Sequence, residues 1–492
     1  MCDPVDIDRS DNFQAITHIA NESLLYEGTA DAKASVVRHW TWLVLAVVAV
    51  SVAVRLWHLT DWSLWEDEEG SIFYALNLNR PFPRRFPVFF RALHGFFAVA
   101  GESVSGARIF SACIGLVSLG IVYICVRRLL SRQTALLTVL FLSLSVGHVF
   151  WSQSVRYYTA VLGFEVLSLY WFYRGFEESR LGLLLLANAA LAIATLTHFS
   201  AALLVPVLIA FLGIGVFWPA LVPRYRLTSY LVFAVPLLVA AYMFTSRIGI
   251  LRRMGGWVLE SARNPIHVLA TAVFYIGPPL MLLAAIGVIA NRRHLSRAAV
   301  LMAITAVVPL LELLVLAELN FVNVTWYYAF VSVVGFSVLA ADWLLQLFRK
   351  GFRWWASGLL TATLVYSLAV LAVYFTSAYG DRPRWREAGD YISRSGRFHP
   401  QDRDSAEIFA TAPGVLAFYL GVPANETQRS TLVQVVGDIE PPKTRARERW
   451  YVIPAFELPS LQRSLLSHCA LEASFDARTG PRDRSLRIYY CP

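Results

Sequence analysis

Residues 66–69 read Glu-Asp-Glu-Glu, and Asp67 and Glu68 are the pair best suited to acid–base chemistry in this 492-residue chain. A carboxylate in reach of a hydroxyl can take its proton. Adjacent acids repel one another and lose solvation if buried, so they call for water, a cation or basic partners. Basic residues follow in Arg80-Pro81-Phe82-Pro83-Arg84-Arg85-Phe86-Pro87. Arginines placed there can hold a phosphate and stabilise charge gathering on it as it leaves. The plain alternative is a solvated loop. The flanking Trp62 and Trp65, which suit a membrane–water interface, weigh against it.

Charged and polar groups are scarce elsewhere in the apolar part of the chain, so each one counts. Arg156 sits in Trp151-Ser152-Gln153-Ser154-Val155-Arg156-Tyr157-Tyr158, His198 in Leu196-Thr197-His198-Phe199, and Trp326-Tyr327-Tyr328 follows Glu318, Asn320 and Asn323. All fall at the same ends of apolar segments as Asp67. An interface anchor is the plainer reading of Arg156, and a turn-capping histidine that of His198. Glu165 and Glu312 lie inside apolar stretches and receive no role.

What must position these groups is a membrane. The chain is 57% hydrophobic and only 16% charged, beyond what a soluble domain carries. Spanning helices need about 20 apolar residues. Segments near 40–57, 106–126, 133–150, 157–173, 181–197, 199–217, 228–244, 267–290, 299–317, 326–347 and 355–375 qualify, giving a polytopic α-helical membrane protein of about eleven spans. Eleven spans place Lys33, Arg38, Arg127, Arg128, Arg132, Arg174, Arg180, Arg292, Arg293, Arg297, Arg349, Lys350 and Arg353 on one side, the cytoplasmic side by the positive-inside tendency. The net charge of +9 is spent on that orientation and not on nucleic acid. Residues 1–38 are then a loose cytoplasmic tail, 39–380 the membrane domain with an external loop at 58–105, and 381–492 an external domain. Within the loop, Glu69–Leu78 and Val88–Ala100 read as helices lying on the membrane surface; Arg91 and His94 share a face of the second. The loop arginines, and Arg247, Arg252, Arg253 and Arg263 in 245–266, break the charge tendency and point to an anionic lipid head group.

Residues 381–492 read as a small α/β domain. Short β-like runs lie at Glu407–Ala410, Leu432–Val436, Trp450–Ile453 and Leu486–Tyr490, with helical stretches at Pro383–Ser393, Gly414–Leu420 and Leu458–Ser467. Of the five cysteines, Cys113 and Cys125 read as small core residues, Cys2 lies in the tail, and Cys469 and Cys491 can pair if the domain is extracytoplasmic. Asn425-Glu426-Thr427 matches a glycosylation acceptor triplet, a pattern that also arises by chance.

The sequence resembles the bacterial GT-C glycosyltransferases, the group related to protein O-mannosyltransferases and lipid A aminoarabinose transferases. In that group the first external loop typically reads Trp-x-Asp-Glu-Ala; here it is Trp65-Glu66-Asp67-Glu68-Glu69. A Tyr-Ser-Gln-x-x-Arg-x-Tyr stretch corresponds to Trp151–Tyr158, a Leu-x-His-aromatic turn to Leu196–Phe199, and an Asp-x-x-Trp-Arg-like helix to Asp381-Arg382-Pro383-Arg384-Trp385-Arg386. The His-Pro-Pro-Leu-Tyr-Tyr element appears as Arg85-Phe86-Pro87-Val88-Phe89-Phe90, so the histidine's role does not carry over.

The resemblance implies a GT-C-like fold in a bacterial inner membrane, with the site on the periplasmic face. It implies a sugar donor on a polyprenyl phosphate and a lipid, glycan or protein acceptor, joined by inverting displacement. Asp67 is then the base and Glu68 its neighbour. Arg84, Arg85 and Arg156 contact the donor phosphate. Glu69, Tyr157, Tyr158, His198, Trp326 and Tyr327 line the substrate site. No obligatory metal is expected; a divalent cation at Asp67/Glu68 is the alternative left open. The main competing reading is a transporter or flippase of polyprenyl-linked sugars, but that needs polar groups through the bilayer depth. A docking or assembly protein leaves the acidic run and Arg156 without a purpose.

Overall fold

The computed structural model describes residues 30–219, 225–245, 264–319, 324–396, 407–422, 433–435, 448–455, 469–478 and 483–491. Cys2, Arg247, Arg252, Arg253, Arg263, Asn320, Asn323, the Asn425 triplet and the expected helix at Leu458–Ser467 lie outside them. The described residues divide into two units between Val50 and Ser51.

Every apolar segment read from the sequence is helical along most of its length. Among the described residues, five helices are long and apolar enough to cross a membrane, or up to seven if each bent pair is one span. Shorter apolar helices lie at Trp40–Leu56, Pro87–Ala100, Leu181–Thr197 and Leu227–Leu238. The segment expected as one span at 267–290 is instead Pro265–Ile276 and Pro278–Ala290, bent by 88°. Gly277 at φ +99°, followed by Pro278 and Pro279, ends the first helix and starts the second. The segment at 133–150 breaks by 65° between Ser143 and Val146. The first helix among the described residues, Ala30–Leu56, starts inside the stretch expected as a loose tail. The Ala30-Asp31-Ala32-Lys33-Ala34 run favours helix strongly enough to extend it.

The loop at 58–105 folds into the two anticipated helices, at Glu66–Leu76 and Pro87–Ala100, and an unanticipated short one at Pro81–Arg85, the last two opening on proline. Arg91 and His94 are both exposed. Trp62 and Trp65 are not interface anchors. They are 4% and 3% exposed. Trp62 packs on Tyr374 and Phe375, and Trp65 on Phe150 and Trp151, so the tryptophans form the floor of the loop.

The C-terminal residues form a mixed five-stranded sheet, order β2-β1-β3-β5-β4, with β1 Glu407–Ala410, β2 Val433–Val435, β3 Arg449–Pro454, β4 Ala470–Phe475 and β5 Leu486–Cys491. β1 runs parallel to β2 and β3; β5 runs antiparallel to β3 and β4. Helices Trp385–Arg394 and Pro413–Tyr419 accompany it. β4 has no counterpart in the sequence reading, because Ala-Leu-Glu-Ala-Ser-Phe lacks β-branched residues and lies on an exposed edge. Cys469 and Cys491 form a disulfide across the β4–β5 hairpin. Cys125 is buried as expected, but Cys113 is exposed.

The sheet region docks on the acidic loop. The Leu64 amide donates to the Tyr419 hydroxyl at 2.6 Å, and the Arg386 amide to Ser63 Oγ at 3.1 Å. A Cβ on Gly414 would meet Glu69 Oε1 at 2.9 Å, so the helix at Pro413 sits directly over that carboxylate.

Candidate active site

The acidic run occupies the first turn of the helix Glu66–Leu76. Free amides and the helix dipole there favour negative charge. A helix turns about 100° per residue, so acids contiguous in sequence point in different directions and meet different surroundings. Glu66 turns inward, with Oε2 buried and lacking a hydrogen bond among the described residues. Burial, then the charge of Asp67, push its carboxyl above the usual range. Glu69 faces Gly414.

Glu68 is fully buried and ion-paired through both oxygens. Arg108 donates from Nη2 to Oε2 at 2.6 Å and from Nε to Oε1 at 3.0 Å, and the Val155 amide donates to Oε1 at 3.1 Å. Arg382 Nε lies 3.8 Å from Oε2. Arg108 also donates to the carbonyls of Leu59, Trp62 and Ser63, which lead into the acidic helix. Glu68 therefore holds the loop to the helix Val104–Leu129 and the segment after Gln153. Both its oxygens are engaged by Arg108 and the side chain is buried, unlike that of Asp67. A divalent cation takes several oxygen ligands, and of this pair Asp67 alone presents an exposed carboxylate.

Asp67 is the acid that faces outward, its side chain one-third exposed. Arg156 Nη2 lies 3.6 Å from Oδ1. Arg156 is held by Asp67 O and Ser71 Oγ, each at 3.3 Å, and by the Tyr157 hydroxyl at 2.8 Å. Its guanidinium lies over the rings of Tyr157 at 4.5 Å and Tyr158 at 5.7 Å. An aromatic wall continues from there. Tyr158 and Trp151 each sit 4.7 Å from Tyr327, and His198 stacks on Tyr157 at 4.4 Å. His198 Nδ1 accepts the Ser200 amide at 3.2 Å, so the histidine caps its turn and braces Tyr157 from behind.

Arg84 and Arg85 end a short helix whose next residue, Phe86, packs 6.0 Å from His198. Among the described residues neither has a carboxylate partner. Trp326 lies flat on Tyr275 at 4.4 Å; a Cβ on Gly147 would come within 2.7 Å of its ring. The structure thus gathers Asp67, Arg156, Tyr157, Tyr158, Tyr327 and His198, brings the arginine helix up against them through Phe86, and sends Glu68 elsewhere.

Several buried polar residues escaped the sequence reading. Arg108 hid at the end of an apolar segment, where an ionisable group should have been weighed. The same holds for Arg55 and His148, both fully buried, with Arg55 Nη2 2.9 Å from His148 Nδ1. Asp381 and Arg382 were noticed only as part of a motif. They reach the site because Tyr379, Gly380 and Asp381 all adopt positive φ, a turn costly for residues other than glycine. Arg382 Nη2 donates to Ser154 Oγ at 2.7 Å, and Asp381 accepts from the Tyr275 hydroxyl. Nothing in its local sequence marks Arg484, which enters from the β4–β5 hairpin.

Comparison with known proteins bears on this arrangement. The family model for dolichyl-phosphate-mannose-protein mannosyltransferases matches residues 80–251, a span that holds Arg84, Arg85, Arg156 and His198. Among solved structures, ArnT from Cupriavidus metallidurans in the apo state is similar at TM-score 0.54 and 15% identity, over 92% of this chain and 98% of that one. The fold is that of the GT-C glycosyltransferases. ArnT bound to undecaprenyl phosphate gives TM-score 0.52 over the same shares, at 15% identity. The archaeal oligosaccharyltransferase AglB from Archaeoglobus fulgidus, with an inhibitory peptide and a dolichol-phosphate, gives 0.50 at 12% identity, over 85% of this chain and 69% of that one. No curated protein sequence matches the chain. The fold and its apolar helices make this chain a multi-pass membrane protein.

Proposed function

We propose that the chain is an inverting glycosyltransferase of the bacterial inner membrane. It moves a sugar from a polyprenyl-phosphate donor to a lipid, glycan or protein acceptor on the periplasmic face, with the amino end cytoplasmic. The observation that carries this reading is the outward-facing Asp67, 3.6 Å from Arg156, set against an aromatic wall in a GT-C fold. The undecaprenyl phosphate in the ArnT structure supports the choice of carrier.

Asp67 takes the proton of the acceptor hydroxyl. The hydroxyl oxygen forms its bond to the anomeric carbon as the bond from that carbon to the phosphate oxygen breaks. The electron pair leaves on the polyprenyl phosphate, and the configuration inverts because attack and departure are on opposite faces. Arg156, Arg84 and Arg85 offset the charge growing on that phosphate. Tyr327, partly exposed, offers a face for a sugar ring, with Tyr157, Tyr158 and Trp326 packed behind it, and Glu69 a hydrogen-bond acceptor. No metal is assigned to Asp67 and Glu68, since Glu68 is consumed by Arg108.

The test is the anomeric configuration of the product, read by NMR after incubating purified protein with undecaprenyl-phosphate sugars and envelope acceptors. A product of inverted configuration supports the reading. Retention, or donor movement across a vesicle bilayer without bond cleavage, contradicts it.

A further inference from the structure

The β4–β5 hairpin delivers a basic side chain into the membrane-side site. Near its turn, Arg478 bridges Asp483, and the Arg484 amide donates to Ala477 O at 3.0 Å. The disulfide pins the opposite end. The Arg484 side chain is only 8% exposed. Its guanidinium lies 5.0 Å from the Trp65 ring and 5.6 Å from Phe150. There it lines a cleft with Thr271, Tyr275, Trp326 and Tyr327. Asp67 and Arg156 are not in that lining; Trp151 and Tyr327 belong to this cleft and to the wall beside them.

What makes Arg484 informative is what it lacks. Its buried Nε finds no hydrogen-bond acceptor among the described residues. The Asp381 carboxylate is 3.9 Å away and accepts from Tyr275. Arg382 shares Glu68 with Arg108, and the carboxyl groups whose charge acts on Arg484 are Asp381 and Glu66. A buried guanidinium nitrogen without a hydrogen bond is expensive even with a carboxylate 3.9 Å away, and an oxyanion ligand that accepts that bond removes the penalty.

We propose that Arg484 is the anion-holding residue of this cleft and binds the phosphate of a substrate. The assignment deepens the transferase reading and rests on it for the word substrate. Arginine's planar fork suits phosphate oxygens. The phosphate belongs either to the polyprenyl carrier or to the acceptor, and the two sources are separable by experiment. The C-terminal sheet thereby contributes a group to the site itself.

The test uses the full chain in nanodiscs, titrated in one arm with undecaprenyl phosphate and in the other with glycerol 3-phosphate, and read by tryptophan fluorescence. Arg484→Gln should weaken binding about 10- to 100-fold, the worth of a charge-assisted hydrogen bond, with the melting temperature retained. Arg484→Lys should recover part of it. Asp381→Asn, which removes the competing carboxylate, should leave binding equal or tighter. Weakening in the first arm assigns the carrier phosphate; weakening in the second alone assigns an acceptor phosphate. Unchanged binding in both arms overturns the proposal, as does an equal loss of melting temperature in Arg484→Gln and Asp381→Asn with binding intact, the signature of a purely structural pair. A wild type that transfers no sugar but loses undecaprenyl phosphate affinity on Arg484→Gln would sink the transferase reading and leave the anion site standing.

Discussion

Replacing Glu68 and Asp67 one at a time separates a structural carboxylate from a chemical one. Glu68 and Arg108 are 0% and 1% exposed, and the carboxylate accepts from Arg108 at 2.6 and 3.0 Å and from the Val155 amide at 3.1 Å. Glu68→Gln strands the Arg108 charge in the interior, which costs about 3–5 kcal/mol. Arg108→Met strands Glu68 at similar cost. The double variant Glu68→Gln/Arg108→Met should lose less than the sum of the two, because neither charge is then left unpaired. Asp67 pairs with Arg156 at 3.6 Å but is one-third exposed, so solvent screens the pair and Asp67→Asn should cost under about 1 kcal/mol. Its turnover should fall about 10²- to 10⁴-fold, the range a lost general base accounts for. Thermal melts in detergent and transfer rates, measured on the same preparations, give both numbers. A Glu68→Gln protein that melts like wild type but transfers no sugar would refute the reasoning, since Glu68 would then have to act on substrate.

Three further outcomes are expected. Gly335→Ala should destabilise by about 1–3 kcal/mol in the same melts, because its Cβ would lie 2.6 Å from Ala306 N and 2.8 Å from Met302 O, and backbone cannot yield as a side chain can. The Glu66 carboxyl is raised by burial and then by Asp67, so the folded state keeps its proton where the unfolded chain, titrating near about 4.3, has released it. That contribution to stability is present below the unfolded value and fades as pH rises through the higher folded one; Glu66→Gln should match wild type in acid and melt above it at pH beyond the raised value, and the reverse order would contradict the burial argument. Removing the disulfide with Cys469→Ser, which opens a loop of sequence separation 22, should cost about 3 kcal/mol and speed proteolysis of the hairpin.

Much of the architecture was legible because lipid imposes a simple rule. Apolar runs of spanning length must be helical, and each one is. The break at Gly277-Pro278-Pro279 was written in the sequence but was passed over because apolar residues continue on both sides of it, where the backbone bends by 88°. The acidic run was legible as a site but not as separate roles. Sequence adjacency suggests shared chemistry, whereas a helical turn sends Asp67 outward to Arg156 and Glu68 inward to Arg108. Partners distant in sequence were the least visible. Arg108 is 40 residues from Glu68, and Arg382 is 228 residues from Ser154. The left-handed turn at Tyr379–Asp381 that brings Arg382 back has no strong local signal beyond Gly380. Arg484 depends on a hairpin of which one strand, β4, gave no β pattern at all.

The central claim is that Asp67 performs a transfer from a polyprenyl-phosphate sugar. The most direct measurement is transfer from radiolabelled polyprenyl-phosphate sugars to envelope acceptors, wild type beside Asp67→Asn, with undecaprenyl phosphate binding measured in parallel and a chelator arm included. The expected outcome is transfer by the wild type with or without chelator, and a variant that binds undecaprenyl phosphate but does not transfer. Transfer undiminished in Asp67→Asn, or no transfer by the wild type from any donor it binds, would contradict it.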